Sequence, residues 1–396
     1  MAAAASSDAP RRGKFPILSL IVCAACGLAA AALAYPALRE KIAKIEYWTA
    51  DWRTVLLADR ISGNHPRVIV VNFDPATFDG GVISPIPRDT HAGVLRALDV
   101  MQPAVIAPDF YFVAGQTPER DQIFLDTLHE LRTPVVLGAV DEHTAEFSDK
   151  QKAYQQAFLA KAGRPAGYLA LRYDPGHIVR RTSPPLAGSP FQESFARQIV
   201  LASGAHPQGL GASSQSMRIA WLLGPGQAPQ PFLTLSAKEL LPGADTARLK
   251  ELAGLIKGNV VLTGIDMPNS DRHDTALSVW TEEQMLGVLI HAQIVARLLD
   301  GRYIYELVGM QRALFLLAIA LAGLALGWLS GHRRAAFINL GVATAILVGI
   351  DALCYSSLRI VLPITLALYV WFLGAIAGRH LQTLAAWAAN RASPAV

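Results

Sequence analysis

Three apolar stretches of this chain each run into a carboxylate: VIVVNF ends at Asp74, AVIAP at Asp109 and NVVLTGI at Asp266. If the stretches are parallel strands, the three acids stand along one sheet edge. Open α/β sheets bind their ligands there, in the crevice beyond the carboxyl ends of the strands. Arg88, Arg180, Arg181, Asp271, His273 and Asp274 lie on segments read as loops that can reach the same edge. Converging carboxylates with arginine suit a cationic or zwitterionic small molecule, or a hard metal ion. The candidate ligand set is therefore Asp74, Arg88, Asp109, Asp266, Asp271 and Arg180.

Each of these residues also has a purely structural reading. Asp74 and Asp109 stand beside prolines and can cap helices or orient turns. Asp89 suits an N-cap, and Arg88 before it can pair with Asp109 or Glu40. Arg180 and Arg181 follow a hairpin turn, where a solvated edge is expected. His273 beside Asp274 suggests a base or metal ligand, but a metal-assisted hydrolysis on Asp109, Asp271, His273 and Asp274 lacks recognisable ligand spacing. The chain has no Gly-x-Ser-x-Gly elbow, His-Glu-x-x-His, phosphate-binding glycine loop or Gly-x-Gly-x-x-Gly after a strand. The expectation is binding without catalysis: no enzyme, no metal and no cofactor.

Alternating strand and helix signals must position these residues. Strands are expected over 68–73, 104–107, 134–140, 217–223 and 259–265, with helices over 89–100, 119–131, 191–201 and 289–299. Gly301 stands where the last helix should end. Strand–helix alternation implies parallel pairing with helices on both faces. Residues 166–182 read as a hairpin about Asp174-Pro175-Gly176, and 141–164 as polar and exposed.

The chain is 52% hydrophobic, and the excess sits at its two ends. Residues 15–38 are long enough to cross a hydrocarbon core of about 30 Å, and are longer than the apolar core of a signal peptide. Three further spans are expected over 313–329, 335–355 and 360–377. Arg333 and Arg334 outweigh the lone Arg359 on the other side, which places 1–14 and 378–396 in the cytoplasm and 39–312 outside. Asp351 is an intramembrane carboxylate near the outer end, from where it can snorkel to water. The net charge of +4 is modest and the charges alternate, so no nucleic-acid stripe is present. Cys23, Cys26 and Cys354 all lie in apolar segments, which leaves the middle of the chain without a disulfide of its own. The fold class expected is an α/β periplasmic domain with a mainly parallel sheet, set between one N-terminal and three C-terminal transmembrane helices.

An ordered set of short motifs adds to this. Asp51-Trp52-Arg53, VIVVNFD, Ser84-Pro85-Ile86-Pro87-Arg88, AVIAPDFYF, DPGHIVRRTSPP, GNVVLTG with DRHDT, and GVLIHAQIVARLLDGRYI together resemble the CHASE2 family of extracytoplasmic sensor domains. The resemblance covers about residues 39–312, and the one-plus-three helix layout is similar too. It implies a sensor in the bacterial inner membrane whose periplasmic domain binds a small ligand. In the family such helices usually lead to a kinase, cyclase or similar output domain. Here only HLQTLAAWAANRASPAV follows Arg379, so a standalone form signalling in trans to a separate protein is expected. An envelope structural or assembly protein is the alternative, and homodimerisation is left open. The tryptophan of the family's Trp-Pro-Arg-like signature is absent before Arg88; if that position shapes the pocket, the ligand choice is expected to differ or to be lost.

Overall fold

The computed structural model describes residues 16–32, 35–141, 146–184, 186, 188–205, 216–226, 230–268, 270–330 and 333–392. The expected cytoplasmic head, 1–14, lies outside them. The chain divides into two compact units: Asp51–Tyr305, and a helical unit of Met1–Ala50 with Glu306–Val396.

The first unit is built on parallel strands. In chain order its labelled strands are β1 (Val68–Phe73), β2 (Val105–Pro108), β3 (Leu137–Ala139), β4 (Ala166–Tyr168), β5 (Arg172–Asp174), β6 (Ile178–Arg181), β7 (Leu233–Ser236), β8 (Val260–Ile265) and β9 (Arg272–Thr275). The central sheet runs β2-β8-β1-β7, and every pair is parallel. The bridge Ile106↔Val135 carries it on to β3, which pairs in parallel with β4.

A parallel sheet needs cover on both faces, and β1 shows how the sequence supplies it. Val68 and Val70 enter one apolar cluster, with helices Phe195–Ala202 and Gly287–Asp300. Ile69, Val71 and Phe73 enter the other, with helices Arg88–Val100, Pro118–Glu130, Asp149–Ala162 and Thr246–Ile256. The period of two along a strand makes this division. Gly301 ends helix Gly287–Asp300 at φ 65°, as its position predicts.

Several expectations are corrected. The stretch 141–164 contains helix Asp149–Ala162, opened by a Ser148–Gln151 capping box and closed by Gly163. Its Gln155, Phe158, Leu159 and Ala162 are buried, one helical turn apart in pairs, so a narrow apolar stripe suffices among many polar residues. Residues 166–168 join the parallel sheet, and only β5 and β6 form the hairpin. Of 217–223, only Leu222–Leu223 is a named strand, paired with Asp59–Arg60. Helix Arg88–Val100 starts one residue early, with Pro87 at the N-cap in place of Asp89.

A second, smaller sheet runs Met285–Leu286, β9, β6, β5. It holds a buried charge cluster. Arg180, which the sequence places on a solvated edge, is 2% exposed. Its Nε donates to both oxygens of Asp51 at 2.9 and 3.0 Å, and its Nη2 to Oδ2 at 2.6 Å. Asp51 stands on helix Pro36–Leu57. Arg218 Nη1 lies 3.7 Å from the same carboxylate. The partner that buries Arg180 is 129 residues away in sequence, which is why local reading missed it.

In the helical unit, Gly309–Leu329, Ala336–Leu358 and Ile364–Arg391 are long and apolar enough to cross a membrane. The N-terminal segment differs from expectation. Helix Ile17–Ala31 spans about 22 Å, and Pro36 opens a second helix bent 80° from it; the first is too short and the second too polar to cross alone, and they qualify only as a pair. Asp351, expected to reach water, is 3% exposed.

Two glycine pairs bind the first and last of the three helices. A Cβ on Gly323 or Gly327 would meet the carbonyls of Trp371 and Ala375. One on Gly374 or Gly378 would meet those of Ala320 and Leu324. Small residues four apart on both partners let the backbones touch, which is how apolar helices gain packing where lipid is as apolar as leucine.

Two outcomes follow. In the detergent-solubilised chain, Gly327→Leu should lower stability by about 1–3 kcal/mol through overpacking. Gly341→Leu, where nothing lies within 4 Å of an added Cβ, should leave the thermal midpoint unchanged. Asp51→Ala should cost about 3–5 kcal/mol in chemical denaturation, because it strands a buried guanidinium.

Candidate functional site

The carboxyl ends of β2, β3 and β8 open into a cavity of about 830 Å³ in the first unit. That is within the roughly 300–1,000 Å³ of small-molecule sites. Asp109 and the aromatic run Phe110, Tyr111 and Phe112 leave the end of β2 directly into it. The Asp109 amide is fixed by a 2.8 Å bond to the Thr263 carbonyl on β8. Asp141 follows β3, Tyr173 lies on β5, Asp271 immediately precedes β9 and His273 lies on it. Helix Gly287–Asp300 contributes Gly287, Val288 and His291; helix Arg88–Val100 contributes Arg88 and His91.

The structure therefore brings Asp109, Asp271 and Arg88 together and places the other three candidates elsewhere. Asp74 caps the turn Pro75–Phe78: its Oδ1 accepts from Thr77 N at 3.0 Å, Thr77 Oγ1 at 2.8 Å and Ser236 Oγ at 2.8 Å. Asp266 takes a 2.6 Å bond from Arg272 Nη2 at a half-exposed position. Arg180 is held by Asp51. None of these three lines the cavity.

Arg88 lines the cavity but is committed to its wall. Its Nε lies 2.7 Å from Asp121 Oδ1, and its Nη2 donates to the Ala114 carbonyl at 2.8 Å. The guanidinium packs over the rings of Phe112, Phe124 and Phe158 at 5.0, 5.7 and 4.6 Å. Its backbone N–H donates to Gln116 Oε1 at 3.0 Å. Arginine at the first position of a helix thus ties down the loop that follows Asp109. The pairings considered from sequence, Asp109 or Glu40, are replaced by Asp121.

Asp271 and His273 form the opposite side. His273 Nε2 lies 2.9 Å from Asp271 Oδ2, and Nδ1 is 2.7 Å from the Tyr173 hydroxyl. A Cβ on Gly287 would stand 3.0 Å from Asp271 Oδ2, so glycine there lets the helix start close on the acid.

Burial then sets the charges. Asp109 has no hydrogen bond to its carboxyl among the described residues, and loss of solvent pushes its pKa up to about 8, aided by the neighbouring charge of Asp271. Burial lowers His91 to about 3, helped by Arg88. Burial also lowers His291 to about 4, with His273 adding to the effect and Asp271 and a bond to the Leu169 backbone opposing it. Tyr111 is pushed up, by burial first and then by Asp109 and Asp271. Near neutral pH the cavity presents an un-ionised carboxylic acid, two neutral imidazoles and several aromatic faces. Among the described residues, no group of three or more His, Cys, Asp or Glu is placed to hold a metal ion.

Sequence reasoning missed His91, His291, Asp141, Tyr111, Phe147 and Tyr173. The run Phe110-Tyr111-Phe112 directly after Asp109 was the available signal, but aromatic residues after a strand read equally well as core.

A family model described as the CHASE2 domain matches residues 24–328. No curated protein and no solved structure matches the chain.

The three titrating groups give a stability profile with a sign. Between about pH 4 and 6.5 the unfolded chain holds two more protons on His91 and His291 and one fewer on Asp109, so stability rises with pH. Between about 6.5 and 8 only the Asp109 difference remains, the native state holds the extra proton, and stability falls by at most about 1.4 kcal/mol per pH unit. Asp109→Asn should remove that alkaline fall. All other groups are common to both proteins, so subtracting their thermal-midpoint curves over pH 5–9 isolates Asp109. A flat difference curve would contradict the raised pKa.

Proposed function

The chain belongs to the CHASE2 domain family, a family of extracytoplasmic sensor domains, and on that premise we propose that it is a ligand-binding sensor subunit rather than an enzyme. It sits in the bacterial inner membrane with residues 39–312 in the periplasm, oriented by Arg333 and Arg334 on the cytoplasmic side. The observation that carries the reading is the cavity at the carboxyl ends of the parallel strands, which an un-ionised Asp109 lines with no hydrogen bond to its carboxyl among the described residues.

Two elements are placed to carry a change away from the cavity. Helix Gly287–Asp300 lines it with three residues and is buried along nearly its whole length. Tyr173 and His273 join β5 to β9, and β6 between them carries Arg180, which grips Asp51 on helix Pro36–Leu57. A ligand moves such elements only by binding one arrangement better than another. The signal then passes in trans to a separate output protein.

The reading is tested by cross-linking the full-length chain in native membranes and identifying what co-purifies. A kinase, cyclase or response regulator is the expected partner. Recovery of envelope-assembly proteins alone would overturn the signalling role in favour of a structural one.

A further inference from the structure

We infer that the cavity takes a small organic ammonium ion, a protonated primary or secondary amine on an apolar body, with Asp109 and His291 as the acceptors for its N–H groups. This rests on the ligand-sensing reading of the same cavity and narrows it to one chemical class.

The wall chemistry disfavours an anion. Asp109, Asp141, Glu146 and Asp271 all line the space. The lining guanidinium, Arg88, is engaged by Asp121, the Ala114 carbonyl and three phenyl rings, and only its Nη1 stands outside these polar contacts. His91 and His291 are neutral. An anionic group would therefore meet four carboxyls against one guanidinium already committed to Asp121. Phe110, Tyr111, Phe112, Phe147 and Tyr173 add π faces, which attract cations and stack on apolar bodies.

Two acceptors select a nitrogen that still carries protons. Asp109 lacks a hydrogen-bond partner for its carboxyl among the described residues. His291 is 5% exposed, lines the cavity, and its Nδ1 is likewise unpartnered. A neutral imidazole carries one N–H and one lone pair, so an unpartnered Nδ1 can serve as an acceptor. Lone pairs buried without donors are what an N–H-bearing ligand relieves and a quaternary ammonium cannot.

Binding has a proton balance. In the empty cavity Asp109 holds its proton; beside an ammonium it becomes a carboxylate, and the proton leaves to solvent, while the amine stays protonated. The groups that face this site are Asp271 immediately before β9, His273 on β9, Tyr111 on the loop after β2, Asp141 after β3, His91 and His291 on their helices, and Glu146 at the rim. Asp271 reinforces the raised proton affinity of the empty site, and the acidic groups together favour a cation.

The test is isothermal titration calorimetry on the detergent-solubilised full chain at pH 7, in buffers of different ionisation enthalpy. The probes are phenethylamine hydrochloride, choline chloride, phenylacetate and 2-phenylethanol. Phenethylamine should bind at least tenfold more tightly than the other three and release close to one proton per molecule bound. Asp109→Asn should lose the proton release and bind phenethylamine at least tenfold more weakly, with folding checked by its thermal midpoint at pH 6. Equal or tighter binding of phenylacetate or phenylethanol, or no binding of any probe, would overturn the ammonium class. The sensor reading is judged separately, by the cross-linking partners.

Discussion

The constraint on which the rest of the first unit depends is the position of Val260–Ile265 between two parallel neighbours. Val260 lies opposite Val68 on one side and Val105 on the other. A strand so placed has no wet face, so its residues must be apolar throughout and helices must cover both sides. The crossovers that parallel strands require then deliver all chain reversals to two opposite edges. At the carboxyl edge these reversals gather Asp109, Asp141 and Ile265 around one space. The cavity is thus a consequence of how the sheet is paired, and its chemistry is decided by which residues happen to follow each strand.

Two carboxyl groups withdrawn from water, Asp51 fully and Asp109 in part, show how the same cost is met in opposite ways. Removing a carboxylate from water costs several kcal/mol. Asp51 meets that cost with a bidentate guanidinium and a second arginine nearby; burial pushes its pKa upward, and Arg180 and Arg218 pull it back. Replacing its partner would leave an orphaned charge, so the pair fixes helix Pro36–Leu57 to the hairpin. Asp109 has no such partner and meets the cost by keeping its proton. A pair with satisfied geometry reads as architecture, whereas an acid held neutral for want of a partner is where a ligand can supply what the protein does not.

Legibility in the sequence followed the range of the determining contacts. VIVVNF and NVVLTGI were readable as buried strands because continuous apolar runs bounded by turn residues have few other solutions. The C-terminal spans and the Gly301 stop were readable for similarly local reasons. β7 was missed because Leu233–Ser236 is four residues of mixed polarity whose strand character comes only from pairing with β1. For the site, Asp109 and Asp271 could be nominated by type and position, but so could Asp74, Asp266 and Arg180. What separates them is set at long range: Ser236 completes the Asp74 cap 162 residues away, and Asp51 claims Arg180. Gly323 and Gly327, and Gly374 and Gly378, stood in plain view at GxxxG spacing. Their meaning appears only when each pair is seen to face the other helix.

Helix Gly287–Asp300 is the element on which these strands of argument meet. Its first turn closes on Asp271 and puts His291 into the cavity. One turn on, Gln293 exchanges two bonds with the Leu222 backbone, accepting at 3.0 Å and donating at 2.7 Å. Near its end, Arg297 donates to the Arg302 carbonyl at 3.0 Å. A helix pinned by polar bonds inside a close-packed core cannot bend to absorb a small displacement at one end, because packed interiors switch between discrete arrangements instead of deforming smoothly. Any preference a ligand has between arrangements of the cavity is therefore a preference between positions of the whole helix. Its residues lead directly into the segment that begins the helix Gly309–Leu329. Within Asp51–Tyr305, this helix is the rigid element that joins the cavity wall to the Leu222 and Arg302 backbones.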